Sequence, residues 1–108
     1  MPAATGRLGV QDLAATTNTT LYTAPTGYFA VVNVTICNRN ASAVTIRLAL
    51  ASSATPGNAE WIEYGSTIPA NSVLERTGLV LAPGQLVVVY ASTTGVNAVA
   101  YGIETSTT

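Results

Sequence analysis

The side chains able to carry chemistry in this chain are few. They are the carboxylates Asp12, Glu60, Glu63, Glu75 and Glu104, the single thiol Cys37 and the guanidinium groups Arg7, Arg39, Arg47 and Arg76; there is no His and no Lys. General acid–base catalysis near neutral pH relies mostly on His, and activation of a Ser or Cys nucleophile needs a neighbouring base. Carboxylates can replace His where two of them flank a bond, as in glycoside hydrolysis. Glu60 and Glu63, however, stand three apart in a segment with strand character, which sends them to opposite faces. A phosphate-cradling loop needs Lys and a Gly-rich string that this chain lacks. Scattered Glu and one Cys do not make a metal-binding cluster. Four widely spaced Arg in a chain of net charge −1 do not form the basic stripe that nucleic acids require. The expectation is a non-enzyme with no catalytic residues, no cofactor, no metal, no nucleic-acid partner and no small-molecule substrate.

Trp61 and Tyr64 are the remaining candidates for recognition. An exposed aromatic pair with Glu63 or Asn58 beside it is a platform on which a sugar ring can stack. The ordinary role of a lone Trp in a small domain is core packing or anchoring a protein interface.

Composition points toward association. Apolar residues make up 48% of the 108 positions, which excludes intrinsic disorder, and charged residues only 8%, against about 25% in an average soluble domain. Seventeen Thr and seventeen Ala stand in the chain where Lys and Glu would be usual, so a solvent face of hydroxyls, small side chains and backbone is expected. Surfaces so close to neutral repel neighbours weakly, so permanent incorporation into an assembly is expected. A single Cys excludes an intrachain disulfide, and no run approaches the roughly 18 apolar residues of a membrane span. The N-terminus has no apolar h-region, so a soluble product made in a cytoplasm is expected.

The elements that must position these residues are strands. Residues 1–17 carry Gly6, Gly9 and no sustained period, and read as an extended N-terminal arm ahead of a β-sandwich domain spanning 18–108. After a short strand near Thr19 to Thr23, Tyr28 to Asn38 alternates strictly, with Ala30, Val32, Val34 and Ile36 on one face and Val31, Asn33, Thr35 and Cys37 on the other. Ala43 to Ala51 alternates in the same way, and the two segments are expected to pair as a hairpin. Further strands are expected over Glu60 to Tyr64, Val73 to Val80, Leu86 to Tyr90 and Ala98 to Glu104. Leu81-Ala82-Pro83-Gly84-Gln85 has Pro and Gly at the centre of a type II turn. Leu86 to Tyr90 is apolar on both faces, which suits a central strand or one covered by a partner. About seven strands at this spacing predict an all-β fold, a single β-sandwich of jelly-roll or Ig-like Greek-key type.

Particular strings resemble a known class. They are Thr20-Leu21-Tyr22-Thr23-Ala24-Pro25-Thr26-Gly27, Val31-Val32-Asn33-Val34 leading into Ile36-Cys37-Asn38-Arg39, then Ile62-Glu63-Tyr64, Ile68-Pro69-Ala70-Asn71 and Leu74-Glu75-Arg76-Thr77-Gly78-Leu79-Val80-Leu81. Taken in order over residues 16 to 104, they look like small virion structural proteins of tailed bacteriophages. The resemblance implies a capsid decoration or cement protein on the virion surface, bridging major capsid protein subunits and associating with itself, often as a homotrimer. Similar modules occur in tail, baseplate and fibre parts. In that setting Leu8, Val10 and Leu13 of the arm, with Arg39, Trp61 and Arg76, are the expected protein-interface residues.

Overall fold

The computed structural model describes residues 5–107. Alternating apolar positions sort the chain into eight strands: β1 (Thr5–Asp12), β2 (Thr19–Thr23), β3 (Tyr28–Asn38), β4 (Val44–Ala51), β5 (Trp61–Ile68), β6 (Val73–Leu81), β7 (Leu86–Ala91) and β8 (Val96–Ser106). They form two antiparallel four-stranded sheets, in the orders β1-β8-β3-β6 and β2-β7-β4-β5. This is the strand order of an eight-stranded jelly roll, and of consecutive strands only β4 and β5 pair directly.

The period-two reading of the faces holds. Ala30, Val32, Val34 and Ile36 of β3 and Val44, Ile46 and Leu48 of β4 all turn into the space between the sheets and are buried. Val87 and Val89 of β7 and Val96, Ala98 and Ala100 of β8 complete this core. The expected hairpin of β3 with β4 does not form. β3 pairs with β6 and β8, while β4 pairs with β5 and β7 in the opposite sheet. Alternation fixes which face of a strand is buried and leaves its neighbour open, so two apolar faces can meet across the core as readily as side by side.

The segment expected as an arm differs as well. Its first four residues lie outside those described; Thr5–Asp12 is an edge strand paired with β8, with a register shift between Arg7 and Gly9. Gly9 is needed there because a Cβ would stand 2.2 Å from the Leu21 carbonyl oxygen, so β1 and β2 approach closely where the two sheets meet. Leu13 then enters the core, only 2% exposed, with its N–H donating to the Val96 carbonyl at 2.8 Å.

Two polar devices hold the ends of the sandwich. Asn38, fully buried at the end of β3, donates through Nδ2 to the carbonyls of Ser42 (2.9 Å), Ile68 (3.2 Å) and Pro69 (3.1 Å). Its Oδ1 accepts from the backbone N–H and the side-chain Nδ2 of Asn40 at 2.9 and 3.1 Å. Tyr22 of β2 donates its hydroxyl proton to the buried Glu104 carboxylate of β8, joining the two sheets from inside. Burial and that carboxylate push the Tyr22 pKa well above its ordinary value. The expected type II turn is present: Gln85 N–H donates to Ala82 O at 3.0 Å, and Gly84 takes a φ of 84°.

Candidate protein-binding faces

With the core between the sheets, the side chains of alternate sign in each strand form two outer faces. On the sheet β1-β8-β3-β6 the outer face carries apolar side chains toward its ends, with Asn33, Thr35, Tyr101 and Glu75 between them. Val31 sits between Ile103 on one side and Val80 on the other, with Phe29 two residues along the same strand. Val10 lies opposite Val99, and Cys37 lies between Asn97 and Val73. Val10 (46% exposed), Phe29, Val73, Val80 (60%) and Ile103 are five of the six large exposed hydrophobic residues described. Tyr101 of the inner strand β8 lies between Arg7 and Asn33, and its hydroxyl stands 3.4 Å from Glu75 Oε2, which puts a polar band across the middle of the face.

The outer face of β2-β7-β4-β5 has a different chemistry. Arg47 at the middle of β4 lies opposite Tyr64 of β5 and Tyr90 of β7, and its guanidinium carbon stands 4.3 and 4.4 Å from the two ring centroids. Tyr64, the sixth exposed hydrophobic, meets Trp61 edge to face with centroids 5.4 Å apart. Trp61 and Leu86 pack over Ala49, Ala51 and Val88, which makes a small second cluster on this side of the sheet. The double-sided apolarity of Leu86 to Tyr90 is thereby accounted for: β7 is central, and its outward Val88 is roofed by residues of the same chain.

The six expected interface residues are not brought together. Val10 lies on the first face, Trp61 on the second. Leu8 packs against the core and Leu13 is inside it, so neither offers a free side chain. Arg39 pairs with Asp12 at 2.6 Å, both exposed. Arg76 pairs with Glu63 at 2.8 Å, and Ser66 donates its hydroxyl proton to the same carboxylate. Because Glu63 belongs to β5 and Arg76 to β6, this pair bridges the open edge between the sheets. Glu60 accepts first from the Gly57 N–H and then from the N–H and hydroxyl of Ser52, contacts that lower its pKa and fold the loop before β5. Phe29, Val73, Val80 and Ile103, and the pairing of Arg47 with Tyr64 and Tyr90, were not among the expected interface residues. Apolar residues on both faces of β3 and β8 were the available sign of the first face; the second depends on cross-strand register.

The described residues enclose no cleft. Among the described residues the two outer sheet faces differ: one combines exposed Val, Ile and Phe with a polar band, and the other carries Arg47 among Trp61, Tyr64 and Tyr90. No protein-family model, curated protein or solved structure matches the chain.

Proposed function

We propose that this protein is a structural component of a bacteriophage particle, acting as a capsid decoration protein that binds the head surface and other copies of itself through the outer face of β1-β8-β3-β6. The observation that carries the reading is the set of exposed Val10, Phe29, Val73, Val80 and Ile103 on that face. Phe29, Val80 and Ile103 group around Val31, with Val10 and Val73 farther along the same face, and exposed apolar groups of this kind commonly mark protein interfaces. The resemblance of the ordered strings to phage virion proteins points to the assembly, and a chain with 8% charged residues suits permanent incorporation.

The test is immunogold labelling of intact virions together with sedimentation of the purified chain. Labelled heads and a self-associating chain that becomes monomeric in Val80→Asp and Ile103→Asp support the proposal. Labelled tails with bare heads favour the tail, baseplate or fibre reading, and unlabelled virions remove both. The edge-to-face Trp61 and Tyr64 pair supports a second reading, a carbohydrate-binding module. A flat response of Trp61 fluorescence across a glycan panel would dispose of it.

A further inference from the structure

Of the two arginines outside the ion pairs, Arg7 lies on the edge strand β1 and Arg47 on the inner strand β4. Arg47 and Glu63 are the only charged residues in β2, β4, β5 and β7, and Glu63 is engaged by Arg76 at the sheet edge. Asp12 is held by Arg39, Glu60 by Ser52 and Gly57, and Glu104 by Tyr22, while Glu75 belongs to the opposite sheet. Among the described residues, no carboxylate neutralises Arg47. The guanidinium carbon lies over both tyrosine rings, and its N–H groups donate to no described residue, so these donors are available to a ligand. Those donors match a carboxylate in the two-point geometry that gives the strongest neutral-pH pairs. The flanking tyrosines also hold the side chain in place beforehand, which lowers the entropy lost on binding. Trp, Tyr and Arg together are the composition of interface hot spots.

We infer that the Tyr64–Arg47–Tyr90 stack is the centre of a second binding face that takes an Asp or Glu side chain from a different protein, with Trp61 and Leu86 covering the aliphatic residues around it. A second copy is a poor occupant. Pairing this face with itself about a two-fold axis brings two Arg47 side chains together. Pairing it with the opposite face of another copy makes a front-to-back contact that propagates as an open stack and does not close. A sheet face without an enclosing pocket also suits a protein surface better than an enclosed small ligand. The inference rests on the reading of this chain as a protein-binding module and is independent of which particle it joins.

Trp61 is the only Trp, and its contact with Tyr64 makes it a reporter for this face. The probes are the peptide Ac-Leu-Glu-Leu-Glu-Leu-NH2, its counterpart with Gln in place of Glu, and polygalacturonate. A saturable change in Trp emission is expected with the Glu peptide, with the Gln peptide binding roughly tenfold more weakly and the difference shrinking in high salt. Arg47→Gln should erase the preference for Glu, and Arg47→Lys, which keeps the charge without the stacked fork, should retain part of it. Equal binding of both peptides, no saturable response at millimolar peptide, or a response to polygalacturonate alone overturns the inference. Thermal unfolding of the variants checks their folding. Virion labelling and self-association, read on the wild-type chain, report on the first face and fail or succeed separately.

Discussion

Replacing Asn38 by Ala should be among the most damaging single changes to this fold. The side chain is fully buried and makes five hydrogen bonds that connect the end of β3 to the β3–β4 and β5–β6 connections. The bond to the Ile68 carbonyl is itself buried; the other four are partly accessible and can be rehydrated in part. An abandoned buried acceptor costs about 1–3 kcal/mol, and each of the others contributes about 0.5–1 kcal/mol net. The sum is about 4 kcal/mol, a large part of the roughly 5–15 kcal/mol that stabilises a typical domain. Urea titration followed by Trp61 fluorescence should show the midpoint falling by about 2 M, for a slope near 2 kcal/mol/M. Asn38→Asp sharpens the test. At neutral pH it sets a carboxylate against three carbonyl oxygens, which raises its folded-state pKa above the unfolded value. Its stability is therefore fullest below about pH 4, where the acid can donate, and declines as pH rises through the raised pKa. A loss below about 1 kcal/mol in Asn38→Ala, or wild-type stability of Asn38→Asp at pH 7, would refute the assignment of Asn38 as the clip.

Gly9→Ala should push β1 away from β2, since the new Cβ meets Leu21 O at 2.2 Å; the expected cost is about 1–3 kcal/mol, with faster amide hydrogen exchange throughout β1. Tyr22 has a raised pKa in the folded state, so the stability it contributes is present below about pH 10 and is lost as pH climbs above that value. Tyr22→Phe should flatten the alkaline limb of the stability–pH curve while lowering stability at pH 7 by roughly 1–3 kcal/mol, measurable by denaturant titration at a series of pH values. A double-mutant cycle on Arg76→Ala and Glu63→Gln should return a coupling of about 0.5–1 kcal/mol, modest because Arg76 is 41% exposed and solvent screens the pair. A coupling of zero would mean that the bridge between β5 and β6 holds nothing.

Those features differ in how far the sequence alone discloses them. Burial of Ala30, Val32, Val34 and Ile36 follows directly from alternation, and the turn at Pro83-Gly84 follows from the φ preferences of its two central residues. Neither property depends on residues remote in the chain. Strand partnership does. A jelly roll sends nearly every successive strand to the opposite sheet, so β3 and β4, which look like a hairpin locally, face each other across the core. β1 is not legible locally because Gly6 and Gly9 interrupt its alternation, and the reason for Gly9 is a carbonyl in β2. Leu13 lies outside any strand, and only the path from β1 to β2 carries it inside. The second face was half legible: Trp61 and Tyr64 stand out as aromatics, whereas Arg47 gains its setting from Tyr64 and Tyr90 through a register that local pattern does not encode.

The scarcity of charge takes on a more definite meaning once positions are known. All five carboxylates act within the chain: Asp12 and Glu63 in ion pairs, Glu60 in its loop, Glu104 with Tyr22 and Glu75 with the Tyr101 hydroxyl. Exposed ion pairs contribute little stability, so their presence in so charge-poor a chain is better explained by where they sit. Arg76 with Glu63 and Arg39 with Asp12 lie at edges and corners, where hydrated charge discourages unwanted strand addition. Placing charge at the margins leaves the broad surfaces of both sheets nearly free of it. Nearly uncharged faces with charged margins favour stacking on a partner face over pairing edge to edge, which is the geometry a module needs if it is to coat a surface without polymerising along its strands. On this argument Arg47 is the exception that calls for a partner, because it is the one charge set in the middle of a face.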